Sequence, residues 1–308
     1  MSDRRQHLPN LLCIGAPKCG TTWLSGLLAA HPQIFIPPQK ELNVLHYNDC
    51  AERLGEYEAY FKGVSVDWRG DFSVRYLSSP NAPMNAVRHL VDGVKLICVV
   101  RDPIEQVASH YWHLRRQNFH QAKPVLPAPG LLEAIDAFPD LLLEPVLYFK
   151  HLSRWLEHFP REQLLVVDYR QLVDRTPDTL RSIQQFLDVE LDIEIDLETD
   201  KEIRAEAALI KAGTDADLRR GVQPRSGLAA KIYPRLYSAI SRGPFQWFKR
   251  QFGVKAAEDV KRKLQLSHWS QKLFFRPGYP EPSDDERSAI LAIVAHDQEA
   301  LKKLMRVS

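Results

Sequence analysis

The sequence predicts an α/β protein with a central parallel sheet, helices on both faces of that sheet, and a basic helical segment toward the carboxyl end. Three observations predict this fold class. Short apolar runs alternate with stretches in which apolar residues recur at helical spacing. The first apolar run leads directly into a glycine-containing turn and then into a helical stretch. The length of 308 residues is sufficient for a sizeable buried core.

The predicted elements follow one another along the chain. The apolar runs LLCIG, KLICVV and LLVV predict buried strands at residues 11–15, 95–100 and 164–167. Helical spacing predicts helices at residues 22–31, 103–116, 148–158 and 177–187. After the breaker PGYPEP, Ser283 and Glu286 have the spacing of a capping box and predict a terminal helix. Alternating strands and helices indicate βαβ units.

The overall charge is nearly balanced, with 41 Lys or Arg, 39 Asp or Glu and a net charge of +2. This balance argues against a dedicated nucleic-acid binder. The segment 225–277 nevertheless holds 12 Lys or Arg and only two acidic residues. Three interpretations of this basic segment remain open: a peripheral membrane surface, a cap that gathers an anionic or glycan acceptor, and a solvated helical pair.

Other features of the sequence limit the classes of protein to which this chain can belong. The longest apolar runs are too short to span a bilayer, and the amino-terminal residues lack an apolar leader. The four cysteines show neither metal-ligand spacing nor a dense framework, so we expect no metal site and no disulfides. Cys13 and Cys98 lie in apolar runs and are predicted to be core residues. Together these features predict a cytoplasmic protein, peripheral to a membrane if the basic segment binds lipid.

The segment GAPKCGTTW, residues 15–23, is the most informative motif. It follows a predicted strand and opens a predicted helix, where backbone N–H groups can hold a phosphate. A Walker P-loop places its lysine after the second glycine. Here Lys18 precedes Gly20 by two residues and Thr21 follows it. The loop therefore suits a phosphate-like anion but does not reproduce the triphosphate and Mg²⁺ arrangement.

Two segments together resemble the sulfotransferases that use 3′-phosphoadenosine 5′-phosphosulfate (PAPS). PKCGTTWL resembles their 5′-phosphosulfate loop, and VRDPIEQVASHYW, residues 100–112, resembles their 3′-phosphate site. Each motif stands at a strand-to-helix junction, and their separation suits two neighbouring strands. KELNVL, and GDFS with Tyr76, are further matches. The resemblance covers residues 10–190 and is nearest to bacterial and heparan-sulfate sulfotransferases.

This resemblance implies a P-loop-like fold and a role for specific residues. Lys18 would stabilise charge on the bridging oxygen, and Glu41 would be the general base, with His46 as the rival base. The cofactor-binding residues would be Pro17, Lys18, Cys19, Gly20, Thr21, Thr22, Trp23, Arg101 and Ser109, with Arg219, Arg220 and Gly221 as a late basic loop. Phe72 stands where the heparan-sulfate group has a lysine, and Asp71 is expected to hold Lys or Arg groups of the site.

The implied activity is transfer of a sulfuryl group from PAPS to a hydroxyl, in preference to an amine, of a small metabolite, glycan or lipid. No metal is implied. We expect one domain over residues 1–308, with a nucleotide-binding core at about 8–200, a basic helical cap at about 201–282 and a terminal helix at about 283–306.

Two other functions remain open. LLVVD ends in Asp168 and mimics a Walker B strand, which would suit a P-loop kinase. A protein that binds PAPS without activity is the second alternative. The sequence leaves the oligomeric state open.

Overall fold

The computed structural model describes residues 5–118, 130–189, 222–224, 275–277 and 280–306. Its central sheet has five strands in the order β2-β3-β1-β4-β5, and every neighbouring pair is parallel. The strands are β1 (Leu11–Gly15), β2 (Ile34–Phe35), β3 (Trp68–Phe72), β4 (Lys95–Val100) and β5 (Leu164–Asp168).

Strand β1 lies in the middle of the sheet, and all five of its residues are buried. Because successive side chains of a strand point to opposite faces, both faces of the sheet are covered at this position. This confirms the predicted α/β class with a central parallel sheet. The predicted neighbouring positions of β1 and β4 are also confirmed, since Leu12 is paired with Leu96 and Cys13 with Ile97.

Ten helices are assigned in the described part of the chain. They are α1 (Thr21–Ala29), α2 (Cys50–Ala59), α3 (Ala82–His89), α4 (Pro103–Asn118), α5 (Leu131–Ala137), α6 (Pro139–Leu142), α7 (Tyr148–Leu156), α8 (Tyr169–Asp174), α9 (Thr176–Leu187) and α10 (Asp284–Arg306). The helices predicted at 22–31, 103–116, 148–158 and 177–187 correspond to α1, α4, α7 and α9, with boundaries shifted by one or two residues.

The described residues form two compact units. Residues 5–107, 139–189 and 287–306 belong to the first, which contains the whole parallel sheet. Residues 108–118, 130–138 and 280–286 belong to the second, together with the antiparallel strands β6 (Val222–Pro224) and β7 (Phe275–Pro277). Outside the described residues lie 201–221, 225–274 and 278–279 of the predicted basic cap.

The terminal helix α10 begins with the hydrogen bonds that the sequence pattern predicts. Ser283 Oγ accepts from the backbone N–H of Glu286 at 3.2 Å, and the backbone N–H of Ser283 donates to Glu286 Oε2 at 2.7 Å. Further along α10, the buried carboxylate of Asp297 accepts from the backbone N–H groups of Phe149 and Lys150, at 3.0 and 2.8 Å. Asp297 thereby ties the terminal helix to the start of α7.

All four cysteines are free and buried. Burial raises the pKa of the Cys13 thiol, and likewise that of Cys19, to about 12, so neither is ionised at neutral pH. Among the described helices, none is both long and apolar enough to cross a membrane. The described residues also contain no group of three His, Cys, Asp or Glu side chains suited to hold a metal ion.

Candidate functional site

The loop between β1 and α1 has the geometry of an anion-binding turn. Gly20 is the residue before α1 and has φ 79°, and Lys18 has φ 63°. Because Gly20 carries no side chain, it does not cap the helix. The first-turn N–H groups of Thr21, Thr22 and Trp23 therefore have no acceptor within the helix, and the positive end of the helix dipole adds to their attraction for an anion.

Three hydrogen bonds hold this loop against the residues around β4. The backbone N–H of Ala16 donates to the carbonyl of Val99 at 2.8 Å. Gln106 on α4 donates from Nε2 to the carbonyl of Pro17 at 2.9 Å, and Arg101 donates from Nη1 to the carbonyl of Lys18 at 3.2 Å. The two sequence motifs therefore meet directly, through the Arg101 guanidinium and the backbone of the loop.

Arg101 follows β4 and is 6% exposed. Its Nε donates to Glu105 Oε2 at 3.2 Å, and its guanidinium lies 4.5 Å from the centre of the Tyr169 ring. Glu105 also accepts from Arg170 at 2.7 Å. Burial raises the pKa of Glu105, but the hydrogen bond from Arg170 and the charge of Arg101 outweigh that effect and hold it below its ordinary value. An ionised Glu105 thus fixes the orientation of Arg101.

The sequence analysis missed these neighbours of Arg101. Glu105 and Gln106 lie inside the second motif, two and three residues after the helix start at Pro103, and this place in the motif was the available signal. Tyr169 and Arg170 directly follow β5, which pairs with β4. Their position after a neighbouring parallel strand could have indicated that they lie near Arg101, since the carboxyl ends of such strands share one edge of the sheet.

The predicted cofactor-binding residues differ in what they can present to a ligand. The side chains of Cys19, Thr21 and Trp23 are buried, and the Cys19 thiol donates to the carbonyl of Pro17 at 3.5 Å. Their backbone groups are therefore the parts available to an anion. Pro17, Lys18 and Gly20 are half-buried, and Thr22 is exposed.

The remaining predicted cofactor residues are Ser109 and the late basic loop at 219–221. Ser109 is on α4, is 8% exposed and belongs to the second compact unit. Arg219, Arg220 and Gly221 lie outside the described residues. Their predicted roles stay predictions.

Glu41 lies beside the carboxyl end of β3. Its backbone N–H donates to the carbonyl of Phe72 at 3.2 Å, and its Oε2 accepts from the backbone N–H of Val74 at 3.1 Å. The residue as a whole is exposed, but neighbouring atoms shield its carboxyl group from part of the solvent. This desolvation raises the pKa of Glu41 above its ordinary value.

His46 lies five residues further along and contacts Arg75, with 3.1 Å between its Nε2 and Arg75 Nη2. A guanidinium only donates, so Nε2 accepts and the ring is neutral. Burial, and secondarily the charge of Arg75, lowers the pKa of His46. The lone pair of His46 Nε2, which a general base would use to take a proton, therefore already accepts a hydrogen bond from Arg75.

The expectation that Asp71 holds Lys or Arg groups is wrong for the residues that the structure describes. Asp71 is 1% exposed and accepts from three hydroxyl groups, those of Tyr57, Ser73 and Tyr76. Burial raises its pKa, and the three hydrogen bonds oppose that effect. Phe72, where a lysine was expected by resemblance, is itself a core residue.

Asp168, the residue that mimics a Walker B aspartate, caps a helix. Its Oδ1 accepts from the backbone N–H groups of Arg170 and Gln171, at 2.8 and 3.1 Å, at the start of α8. Its Oδ1 therefore makes structural contacts at the start of this helix.

Comparison with known proteins supports the interpretation of the two motifs. The family model described as "Sulfotransferase domain" matches residues 8–213. The bifunctional heparan sulfate N-deacetylase/N-sulfotransferase 3 of Homo sapiens is 31% identical over 197 residues, which cover 59% of this chain and 22% of the relative. Heparan sulfate glucosamine 3-O-sulfotransferase 5 of Homo sapiens is 25% identical over 200 residues, which cover 61% of this chain and 56% of the relative.

The matched region thus spans a quarter or less of the first relative and little more than half of the second. Among solved structures, a sulfotransferase from Alicyclobacillus acidocaldarius superposes with a TM-score of 0.53 at 24% identity, over 68% of this chain and 93% of that one. At this level of identity the likeness shows a shared fold. Because the family model covers more than half of the chain and the fold agrees, the protein belongs to the sulfotransferase family.

Proposed function

We propose that the protein transfers a sulfuryl group from PAPS to a hydroxyl, in preference to an amine, of an acceptor molecule. The observation that carries this proposal is the hydrogen bond between Arg101 and the carbonyl of Lys18, which brings two cationic residues from adjacent strands to one edge of the sheet. PAPS carries anionic groups at two positions of its ribose, the 3′-phosphate and the 5′-phosphosulfate, and needs two such cationic positions.

In this proposal the loop amides and Lys18 hold the 5′-phosphosulfate, and Arg101 holds the 3′-phosphate. The sulfur–oxygen bond to the departing nucleotide breaks as a bond forms to the acceptor oxygen, and the products are 3′-phosphoadenosine 5′-phosphate (PAP) and a sulfate ester. Lys18 stabilises the negative charge that develops on the bridging oxygen. The protein contributes mainly orientation and charge stabilisation.

Glu41 takes the acceptor's proton in this mechanism. Its desolvated carboxyl has a raised pKa, which makes it a stronger base than an ordinary carboxylate, while its exposure leaves it accessible to an acceptor. His46 is less suited, because its Nε2 already accepts from Arg75 and its pKa is lowered.

A glycan is the acceptor class that the relatives favour. Two of them are named for transfer to heparan sulfate, one to nitrogen and one to the 3-hydroxyl of glucosamine. We propose that the basic segment 225–277 gathers such an anionic acceptor. Phe72 in place of a lysine indicates that the contacts to the acceptor differ from those of the heparan-sulfate group. Small metabolites and lipid alcohols are the other acceptor classes.

A P-loop kinase is the alternative from another reaction class, and two observations argue against it. Lys18 lies before Gly20 rather than after it, and the carboxylate of Asp168 caps α8. Incubation with radiolabelled ATP tests this alternative, and phosphate transfer that requires Asp168 would overturn the proposed function.

The experiment on the donor site is calorimetric titration with PAP. We expect wild-type protein to bind PAP and Lys18→Ala to bind it more weakly. Absence of heat at millimolar PAP would refute the proposal. Glu41→Gln is the matched control, because it removes the proposed base and should leave PAP affinity unchanged.

Acceptor use is tested with ³⁵S-labelled PAPS against desulfated heparan fragments, phenols and lipid alcohols. Lys18→Ala and Glu41→Gln should each lower turnover by about 10²-fold or more. PAP binding without transfer to any acceptor or to water would favour a binding protein instead.

A further inference from the structure

The segment that carries Glu41 has a backbone conformation that needs support from outside. Glu41 has φ 58° and Asn43 has φ 56°, so two residues with side chains lie in the left-handed region within three positions. Such residues adopt this region seldom, and they persist in it where surrounding contacts hold them. A short 3₁₀ turn, Val44–His46, follows directly.

Two hydroxyl groups beyond the end of β3 supply part of this support. The backbone N–H of Asn43 donates to Ser73 Oγ at 3.0 Å, and the backbone N–H of Leu45 donates to the Tyr76 hydroxyl at 3.2 Å. A hydroxyl has a single hydrogen. Each of these two hydroxyl oxygens accepts from the backbone of the Glu41 segment, so its single hydrogen is available to a different group.

Both hydrogens go to the same carboxylate. Ser73 Oγ donates to Asp71 Oδ1 at 2.7 Å, and the Tyr76 hydroxyl donates to Asp71 Oδ2 at 2.7 Å. An ionised carboxylate only accepts, so it fixes the direction in which each hydroxyl donates and turns their lone pairs toward Asn43 and Leu45. Asp71, Ser73 and Tyr76 are all buried, so water does not compete for these bonds.

We propose that Asp71 is a positioning residue, which acts through Ser73 and Tyr76 to set the place of the Glu41 segment at the edge of the sheet. Its effect on sulfuryl transfer rests on the function proposed above, in which Glu41 is the base. The support of the segment itself does not depend on that function. A base displaced by about 1 Å can lose on the order of 10²-fold in rate, so such support bears directly on turnover.

Tyr57 provides an internal control for this proposal. Its hydroxyl donates to the same Asp71 Oδ2, at 2.6 Å, and its side chain is buried like that of Tyr76. In the described part of the chain, however, the Tyr57 hydroxyl receives no hydrogen bond from the Glu41 segment. Tyr57→Phe and Tyr76→Phe therefore remove equivalent bonds to Asp71, and only the second also removes an acceptor for Leu45.

Amide hydrogen exchange tests the support directly, without any ligand. In Tyr76→Phe we expect exchange over residues 41–47 to accelerate at least tenfold relative to wild type. In Tyr57→Phe the same amides should exchange at a rate close to that of wild type, although both variants unfold at a lower temperature. Equal acceleration in the two variants would overturn the proposal. It would mean that the hydrogen bonds of Tyr57 and Tyr76 to Asp71 affect the segment only through general packing.

Turnover with ³⁵S-labelled PAPS tests the catalytic consequence. Tyr76→Phe and Ser73→Ala should lower kcat tenfold or more while KM for PAPS changes less than twofold, and Tyr57→Phe should keep kcat within twofold of wild type. An unchanged kcat in Tyr76→Phe would overturn the positioning role. If wild-type protein binds no PAP, the proposed function fails, and the exchange measurement still decides whether the hydrogen bonds from Asp71 through Tyr76 support the segment.

Discussion

Substitution of Gly20 by alanine is the sharpest test of the anion-binding loop. Gly20 has φ 79°, a conformation that costs a residue with a side chain roughly 1–2 kcal/mol. The added methyl carbon would also lie 2.9 Å from Cε2 of the Tyr169 ring and 3.1 Å from its Cδ2. The ring or the loop must move to relieve this overlap.

The expected magnitude follows from these two contributions. Crowding in a packed region typically costs about 1–3 kcal/mol, so the two effects together destabilise the folded protein by about 2–5 kcal/mol. Gly26, inside the helix that Gly20 precedes, is the matched control, because a methyl group there meets nothing within 4 Å. Gly26→Ala lies inside a helix and should stabilise the protein by about 0.5–1 kcal/mol.

Thermal unfolding and PAP calorimetry of the two variants form the assay. Gly20→Ala should lower Tm on the order of 5–10 °C, and Gly26→Ala should raise it slightly. Because the loop or the Tyr169 ring must move, the loop amides lose their arrangement, and Gly20→Ala should weaken PAP binding about tenfold, which corresponds to about 1.4 kcal/mol. A Gly20→Ala protein that unfolds and binds PAP like wild type would refute this account of the loop.

Three further predictions concern residues outside the loop. Asp168→Asn should leave Tm and PAP binding unchanged, because asparagine also caps helices, and lost turnover in this variant would revive a metal-binding role. Asp297→Ala should destabilise the protein by about 1–3 kcal/mol in chemical denaturation, because it removes a buried carboxylate that accepts two backbone N–H groups, whereas the exposed Glu299→Ala should change stability by less than about 0.5 kcal/mol. The rate of sulfuryl transfer should fall as pH drops through the raised pKa of Glu41, above the ordinary range of a carboxyl, because a protonated base is inactive. This acid limb should persist in His46→Asn, and its disappearance there would assign the base to His46.

The strands that precede the two motifs could be predicted because their signal is local. LLCIG, KLICVV and LLVV are continuous apolar runs, and each becomes a strand of the sheet, β1, β4 and β5. The glycine-containing turn after β1 is equally local, because a left-handed residue before a helix favours glycine. From these runs alone, adjacent positions for the two motifs could be predicted.

Strand β3 could not be predicted in the same way. Its sequence, WRGDF, contains two charged residues and a glycine, and it becomes a strand because β1 pairs with it from one side and β2 from the other. The function of Asp71 was mistaken for the same reason. Its partner Tyr57 comes from α2, and the pairing depends on how that helix packs rather than on the order of residues.

The family and the fold class could be predicted from local features of the sequence, because strand runs, helix starts and left-handed turns depend on residues close together in the chain. The partners of the charged groups depend on the tertiary fold. Asp168 caps the start of a helix, Arg101 pairs with Glu105, and hydroxyl groups surround Asp71. Contacts between residues far apart in sequence set these partners, and burial determines how strongly each one acts.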